Sequence, residues 1–282
     1  MIWKIRQNTI SFGRTLLMGI LNITPDSFFD GGRYLDPQAA STQALRLVEE
    51  GADILDLGAQ STRPGALPVT GREELERLLP VLKQVRKEVS VPISIDTVRP
   101  EIAKECLEAG ADIINDVSGL KRSGPDMAKV VKKFGAGLVL MHSRGTPETM
   151  QALASYHDVV ADVMSELRES VRIATDAGIE RERIVIDPGL GFAKLPEQNL
   201  EILKKISIFH SLGFPVLVGP SQKSFIGKVT GRGVKDRMFG TAACVAACVR
   251  EGVQILRVHE PGAMRDVVYI TEAVKGDSTS NI

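Results

Sequence analysis

The chain lacks a net charge, since 35 Lys plus Arg balance 35 Asp plus Glu and the isoelectric point is about 6.9. No overall field therefore draws it to nucleic acid or to an anionic membrane, and any anion site has to be local. Cysteine is scarce. Cys106, Cys244 and Cys248 have no metal-site spacing, so they are expected to be buried or inert thiols. No apolar run approaches the ~20 residues that span a bilayer, and Trp3, Lys4 and Arg6 interrupt any hydrophobic leader. A cytoplasmic protein with no nucleic-acid and no membrane partner is the expectation. Two nucleotide signatures are also missing. No GxxxxGKS/T phosphate loop occurs, and GILNITPDSF, which follows the first apolar run, is not a glycine-rich dinucleotide turn.

What is present is a repeating plan. In Ile184 to Lys194, IVIDPGLGFAK, an apolar run suited to a strand covered on both faces ends in Asp187 and breaks at Pro188, Gly189 and Gly191. A carboxylate there is costly to bury unless donors or a ligand pair with it. Eight such runs alternate with amphipathic helices: 16–23, 52–58, 92–97, 113–118, 138–143, 184–189, 215–220 and 255–260. Asp36-Pro37 opens the first helix, Thr97 to Pro100 the third, and Gly110, Gly135, Gly178 and Gly213 close others. With 282 residues, 43% of them hydrophobic, and no break in composition, the pattern predicts an α/β fold, a single eight-stranded (β/α)8 TIM barrel over about 16–275. An open doubly wound sheet is the alternative. Residues 1 to 13 read as a short hairpin that plugs one end.

A barrel of this kind gathers the polar residues at its strand carboxyl ends into one mouth. Asn22, Asp56, Asp96, Asn115, Asp116, His142, Asp187, Lys223, Arg257 and His259 all stand at such ends. Asp96, Asn115 and Asp187 offer acceptors and Lys223 a donor, a set that suits a heterocycle with an amino-pyrimidinone edge. Arg63, Arg257, His259 and Asn22 suit an anionic leaving group, with the Arg fork on phosphate oxygens and Asn22 able to ligate a bridging magnesium ion. The connections after the first two strands, Asn22 to Asp36 and Gly58 to Gly71, are long enough to cover a substrate. The 236–251 helix is apolar on more than one face, which suits a homodimer contact as well as packing on the barrel.

Taken in order, MGILNITPDSFFDGG, STRPGA, SIDT, NDVSG, MHSRGTP, DPGLGFAK, KSFIG and RVH resemble the motifs of the dihydropteroate synthase family of folate biosynthesis, from residue 18 to about 270. The resemblance implies that 6-hydroxymethyl-7,8-dihydropterin pyrophosphate loses pyrophosphate while its exocyclic carbon takes up the nitrogen of para-aminobenzoate. It implies that Asp96, Asn115, Asp187 and Lys223 hold the pterin, and that Asn22, Arg63, Arg257 and His259 hold the pyrophosphate, with Mg2+ at Asn22. Thr62, Pro64, Phe192 and Ser221 would line the para-aminobenzoate side, and Asp96, Lys223 and Arg257 would be the catalytic groups. The small-molecule substrates are then the partners, together with a second copy of the chain. Two departures from the family pattern stand out: Ala59-Gln60 where the family has Gly-Glu, and Ser221-Gln222-Lys223 where it has Ser-Arg-Lys. The joint loss of a negative and a positive charge suggests that Gln60 and Gln222 replace a compensating pair. Two alternatives share the fold: a methyltetrahydrofolate-corrinoid methyltransferase-like barrel, which needs no pyrophosphate site, and a non-catalytic pterin-binding paralogue.

Overall fold

The computed structural model describes residues 1–23, 29–30, 34–60 and 69–276. Eight parallel strands form one ring: β3 (Leu16–Asn22), β6 (Ile54–Gly58), β7 (Ile93–Asp96), β8 (Ile113–Asp116), β9 (Gly137–Met141), β10 (Ile184–Asp187), β11 (Leu217–Val218) and β12 (Ile255–Val258). They neighbour one another in chain order, β12 returns to β3, and a parallel bridge from Ile186 to Val216 joins β10 to β11. The barrel is therefore closed, and the doubly wound alternative is set aside. An antiparallel hairpin, β1 (Ile2–Ile5) and β2 (Asn8–Ser11), precedes it, and a two-residue pair, β4 (Phe29–Asp30) and β5 (Tyr34–Leu35), follows β3.

Helices cover the outside: α1 (Pro37–Glu49), α2 (Gly71–Glu88), α3 (Pro100–Glu108), α4 (Gly124–Phe134), α5 (Val159–Asp176), α6 (Pro196–Lys204), α7 (Ser224–Thr230), α8 (Met238–Arg250) and α9 (Pro261–Lys275). Local chemistry sets their ends. Asp36 accepts from the Gln38 amide to cap α1, and Thr70 with Glu73 forms a reciprocal capping box on α2. Gly135 closes α4 in the left-handed conformation expected there. The observed strands stop one or two residues before the ends of the apolar runs, except β6, which ends with its run at Gly58. In β11 only Leu217 and Val218 pair, because Gly219 to Gln222 already turn toward the mouth.

Strand periodicity of two assigns every side chain to one side of the wall. Leu55, Ile95, Ile114, Leu140, Ile186 and Leu256 pack outward against the helices. Met18, Ile54, Ile113, Val139, Val185, Leu217 and Ile255 point inward and meet Trp3 and Ile5 of the hairpin in a separate cluster. The hairpin is therefore the plug that the sequence suggested. Trp3 is fully buried, and its indole N–H donates to Arg183 O at 2.9 Å. Trp3→Ala is expected to destabilise the protein by about 3–5 kcal/mol through the cavity it opens. Because Trp3 is the chain's only tryptophan, the loss is read from denaturant unfolding followed by circular dichroism rather than by fluorescence.

Candidate active site

On five of the eight strands the inward face turns polar two residues further along: Ile54 leads to Asp56, Ser94 to Asp96, Ile113 to Asn115, Val185 to Asp187 and Ile255 to Arg257. This step, repeated around the ring, builds the mouth. Asp96 and Asn115 are register partners on adjacent strands. The Arg257 guanidinium lies at the centre, donating from Nε to Asp56 Oδ2 at 2.6 Å and from Nη2 to Asp96 Oδ2 at 3.2 Å. Asn115 Nδ2 donates to Asp56 Oδ2 at 3.4 Å, leaving Asn115 Oδ1 and Asp56 Oδ1 buried with no hydrogen-bond partner among the described residues. Unmatched buried acceptors are costly. They call for a ligand that brings donors.

Burial governs the acidity of this group. It pushes the Asp96 carboxyl up to about 7 against the pull of Arg257, with Asp56 and Glu74 adding to the rise. It pushes Asp187 up to about 6, opposed by the Gly189 amide, which donates to Oδ1 at 2.7 Å, and by Lys223 and Lys194. Both carboxyls thus titrate close to neutrality. Lys223, the residue before α7, places its ammonium 4.4 Å above the centre of the Phe192 ring, a cation–π contact. Gly191 lies so close to the Lys223 stem that an added Cβ would meet its Cδ at 3.0 Å. Ser221 Oγ stands 2.8 Å from His259 Nδ1, tying the β11 and β12 ends together. Beside Asp96 opens a cleft of about 450 Å3 whose lining includes Gln60, Thr97, Arg122, Thr146 and Phe192.

The expected residues are not all in one place. Asp96, Asn115, Asp187 and Arg257 share the inward face, with Lys223 and Phe192 above Asp187 and with Ser221 and His259 at the neighbouring strand end. Asn22, half-buried, ends β3. Thr62, Arg63 and Pro64 lie outside the described residues. Asp116 and His142 do not join the group. Asp116 follows Asn115 and so faces outward, where Ser118, Leu120 and Ser123 use its oxygens to fold the turn after β8. His142 turns to Lys194. Gln60 and Gln222 do not form a pair: Gln60 Oε1 accepts from Arg99 at 3.4 Å, while Gln222 is held through its backbone by Thr241 and Arg237. Arg99 in turn binds buried Glu74, which also accepts from Thr97 at 2.6 Å. Asp56 has no role on sequence grounds beyond its place at a strand end. Its partner Arg257 is 201 residues away, which no local pattern reveals.

The three thiols behave as expected of inert cysteines. All are free, and burial pushes Cys106 up to about 12 and Cys244 to about 11.

Comparison with known proteins reaches the same region of chemistry. The model of a family described as pterin binding enzyme matches residues 18–259. A dihydropteroate synthase of Synechocystis sp. is 45% identical over 262 residues, covering 93% of this chain and 90% of its own. The crystal structure of a Yersinia pestis dihydropteroate synthase in complex with a sulfonamide drug superposes with a TM-score of 0.91 at 35% identity, covering 98% of this chain and 100% of that one. A Thermus thermophilus dihydropteroate synthase in complex with 6HMPPP gives a TM-score of 0.84 at 40% identity, with 97% and 100% covered.

Proposed function

Because the chain belongs to the pterin-binding enzyme family, we infer that it carries out the dihydropteroate synthase reaction. It condenses 6-hydroxymethyl-7,8-dihydropterin pyrophosphate with para-aminobenzoate to give 7,8-dihydropteroate and pyrophosphate. One observation carries this reading: the mouth is rich in buried acceptors around the Arg257 guanidinium, two of them without a hydrogen-bond partner among the described residues. A pterin edge, with adjacent amine and ring N–H donors, satisfies such acceptors, as base edges satisfy acidic side chains. The methyltransferase alternative would leave the basic group at the strand ends without an anion to hold.

In this reading Asp96, Asn115, Asp187 and Lys223 bind the pterin. Asp56 is a positioning residue that holds Arg257 among them. Arg257, His259, Asn22 and Arg63 receive the pyrophosphate, and Thr62, Pro64, Phe192 and Ser221 border the para-aminobenzoate, with Ser221 linked to the anion side through His259. Asp96, Lys223 and Arg257 do the catalytic work. As pyrophosphate leaves, the carbon it was bonded to gains positive charge; Asp96 and Asp187 favour that charge, and Arg257 favours the departing anion. The arylamine nitrogen attacks as a neutral nucleophile and loses its proton afterwards, so no general base is needed. A magnesium ion fits Asn22. This is a neutral oxygen donor at the mouth, and magnesium on a pyrophosphate takes few protein ligands, keeping water and phosphate oxygens for the rest. When bound, the ion neutralises charge on the leaving group.

The exposed apolar residues Phe239 of α8 and Ile270 and Val274 of α9 support a homodimer through those helices. Among the described residues no helix is long and apolar enough to cross a membrane; a cytoplasmic location remains part of this proposal.

The raised carboxyls set a pH dependence. A ligand donor requires the ionised form, so dihydropterin binding is expected to weaken as pH falls through 7 toward 5, by up to about tenfold per unit for each carboxyl, and to level off above about 8. Titration calorimetry between pH 5 and 8.5 reads this, and a flat profile would remove the two carboxylates from the pterin site. Sulfonamides resemble the arylamine; inhibition of turnover is expected to be competitive with para-aminobenzoate, and inhibition competitive with the pterin substrate instead would contradict the division of the site.

A further inference from the structure

Among the buried charged groups that the reaction leaves without a role, one lies in the loop after Asp187. Lys194 ends the loop that begins at Asp187, and it is 3% exposed. Its ammonium has three protons and each has a partner at 2.9 Å: Gly189 O, Phe192 O and His142 Nδ1. Burial, with Lys194 beside it, pushes the His142 imidazole down to about 3, so the ring is neutral and Nδ1 accepts. The other ring nitrogen lies 3.2 Å, obliquely, from Glu166 Oε2, and Glu166 is fixed in turn by Arg144 and Lys121.

The loop that Lys194 grips is strained. Gly189, Gly191 and Ala193 adopt φ of +69°, +82° and +48°, and Ala193 carries a Cβ that disfavours this region. A Cβ on Gly189 would strike the His142 carbonyl, while the other side of the loop presses on Lys223. The loop is braced from outside as well: Tyr156 Oη donates to Ala193 O at 2.8 Å, and Arg144 stacks 3.9 Å from the Tyr156 ring centre. Phe192, whose ring meets the Lys223 ammonium, carries one of the held carbonyls, and Ala193 next to it carries the one that Tyr156 holds.

We propose that Lys194 is a positioning residue for the arylamine substrate, its ammonium drawing the Gly189 and Phe192 carbonyls together and thereby fixing the Phe192 ring against Lys223. The proposal rests on the reading that Phe192 borders the para-aminobenzoate. What the ammonium supplies is geometry rather than net stability. Burial lowers its pKa to about 7, so between about 7 and 10.5 the unfolded chain binds more protons than the folded one, and the cost of the buried charge is full below that window and fades as pH rises through it. Methionine fills the same length without that cost, but it gives the three acceptors no donor.

Lys194→Met separates these roles. The KM for para-aminobenzoate is expected to rise about tenfold or more, with kcat and the KM for the pterin pyrophosphate changed by less than about threefold. An unchanged arylamine KM overturns the proposal. So does an equal rise in both KM values, which marks a merely structural brace. Should that variant not fold, the wild-type enzyme carries the test. The charged and titratable groups facing Lys194 are His142, Glu166, Asp187, Lys223 and Arg144, with Lys121 beyond them against His142 and Glu166. At saturating pterin substrate the arylamine KM is expected to rise between pH 6.5 and 9 as the third proton leaves, and a constant value overturns the proposal. A wild-type protein that forms no product fails differently, overturning the functional reading itself.

Discussion

Asp187→Asn is expected to lower kcat/KM for the pterin pyrophosphate by roughly 100- to 10,000-fold while leaving the fold at least as stable at pH 7. The asparagine Oδ1 can keep the 2.7 Å bond from the Gly189 amide, so the loop retains its start. The second oxygen becomes an NH2 that faces the donors of the ligand, and donor against donor costs more than a lost bond. The stability side follows from the buried charge. The folded carboxyl titrates at about 6 instead of 3.8, so the native state binds more protons between those values and stability falls as pH rises through that window. Above it the ionised carboxylate costs of order a few kcal/mol, which the amide removes. Steady-state kinetics together with denaturant unfolding check both halves, and a variant that is unstable and inactive together would place Asp187 in the framework rather than the site.

Lys223→Ala is expected to reduce kcat/KM by roughly 100- to 1,000-fold, chiefly through a higher KM for the pterin pyrophosphate. The substitution removes a ring donor and the cation that lowers the Asp187 pKa. With the cation gone, Asp187 is expected to hold its proton to higher pH, so the fall in pterin affinity begins at a higher pH than in the wild type. That shift distinguishes loss of the charge from loss of the cation–π contact with Phe192, which would leave the pH profile in place. Near-normal turnover in this variant would overturn the assignment of the pterin site.

The barrel was legible because each strand is an apolar run, mostly buried on both faces, with a polar residue at its end or within three residues beyond it, so eight such runs could be found without knowing their neighbours. The plug was legible for the same reason: Trp3 and Ile5 alternate with Lys4 in a segment too short to fold alone. What sequence could not divide is the polar set at the strand ends. Asn115 and Asp116 are adjacent and look equally eligible, yet a period of two sends one into the mouth and the other into the turn that follows β8. His142 lies one residue beyond Met141, the last residue of β9, and there turns away from the mouth to the buried ammonium of Lys194. Long-range pairs left no local trace: Arg257 finds Asp56, and Gln60 finds Arg99 instead of Gln222. Lys194 reads as an ordinary loop lysine. Only its burial, with all three protons used, marks it as part of the site.

Pyrophosphate release, measured continuously with the purified chain, 6-hydroxymethyl-7,8-dihydropterin pyrophosphate, para-aminobenzoate and magnesium, is the most direct measurement. Release that depends on both organic substrates, with 7,8-dihydropteroate formed in equal amount, is the expected result. Tight binding of the pterin pyrophosphate with no release on addition of para-aminobenzoate would contradict it, leaving a pterin-binding barrel that performs no condensation.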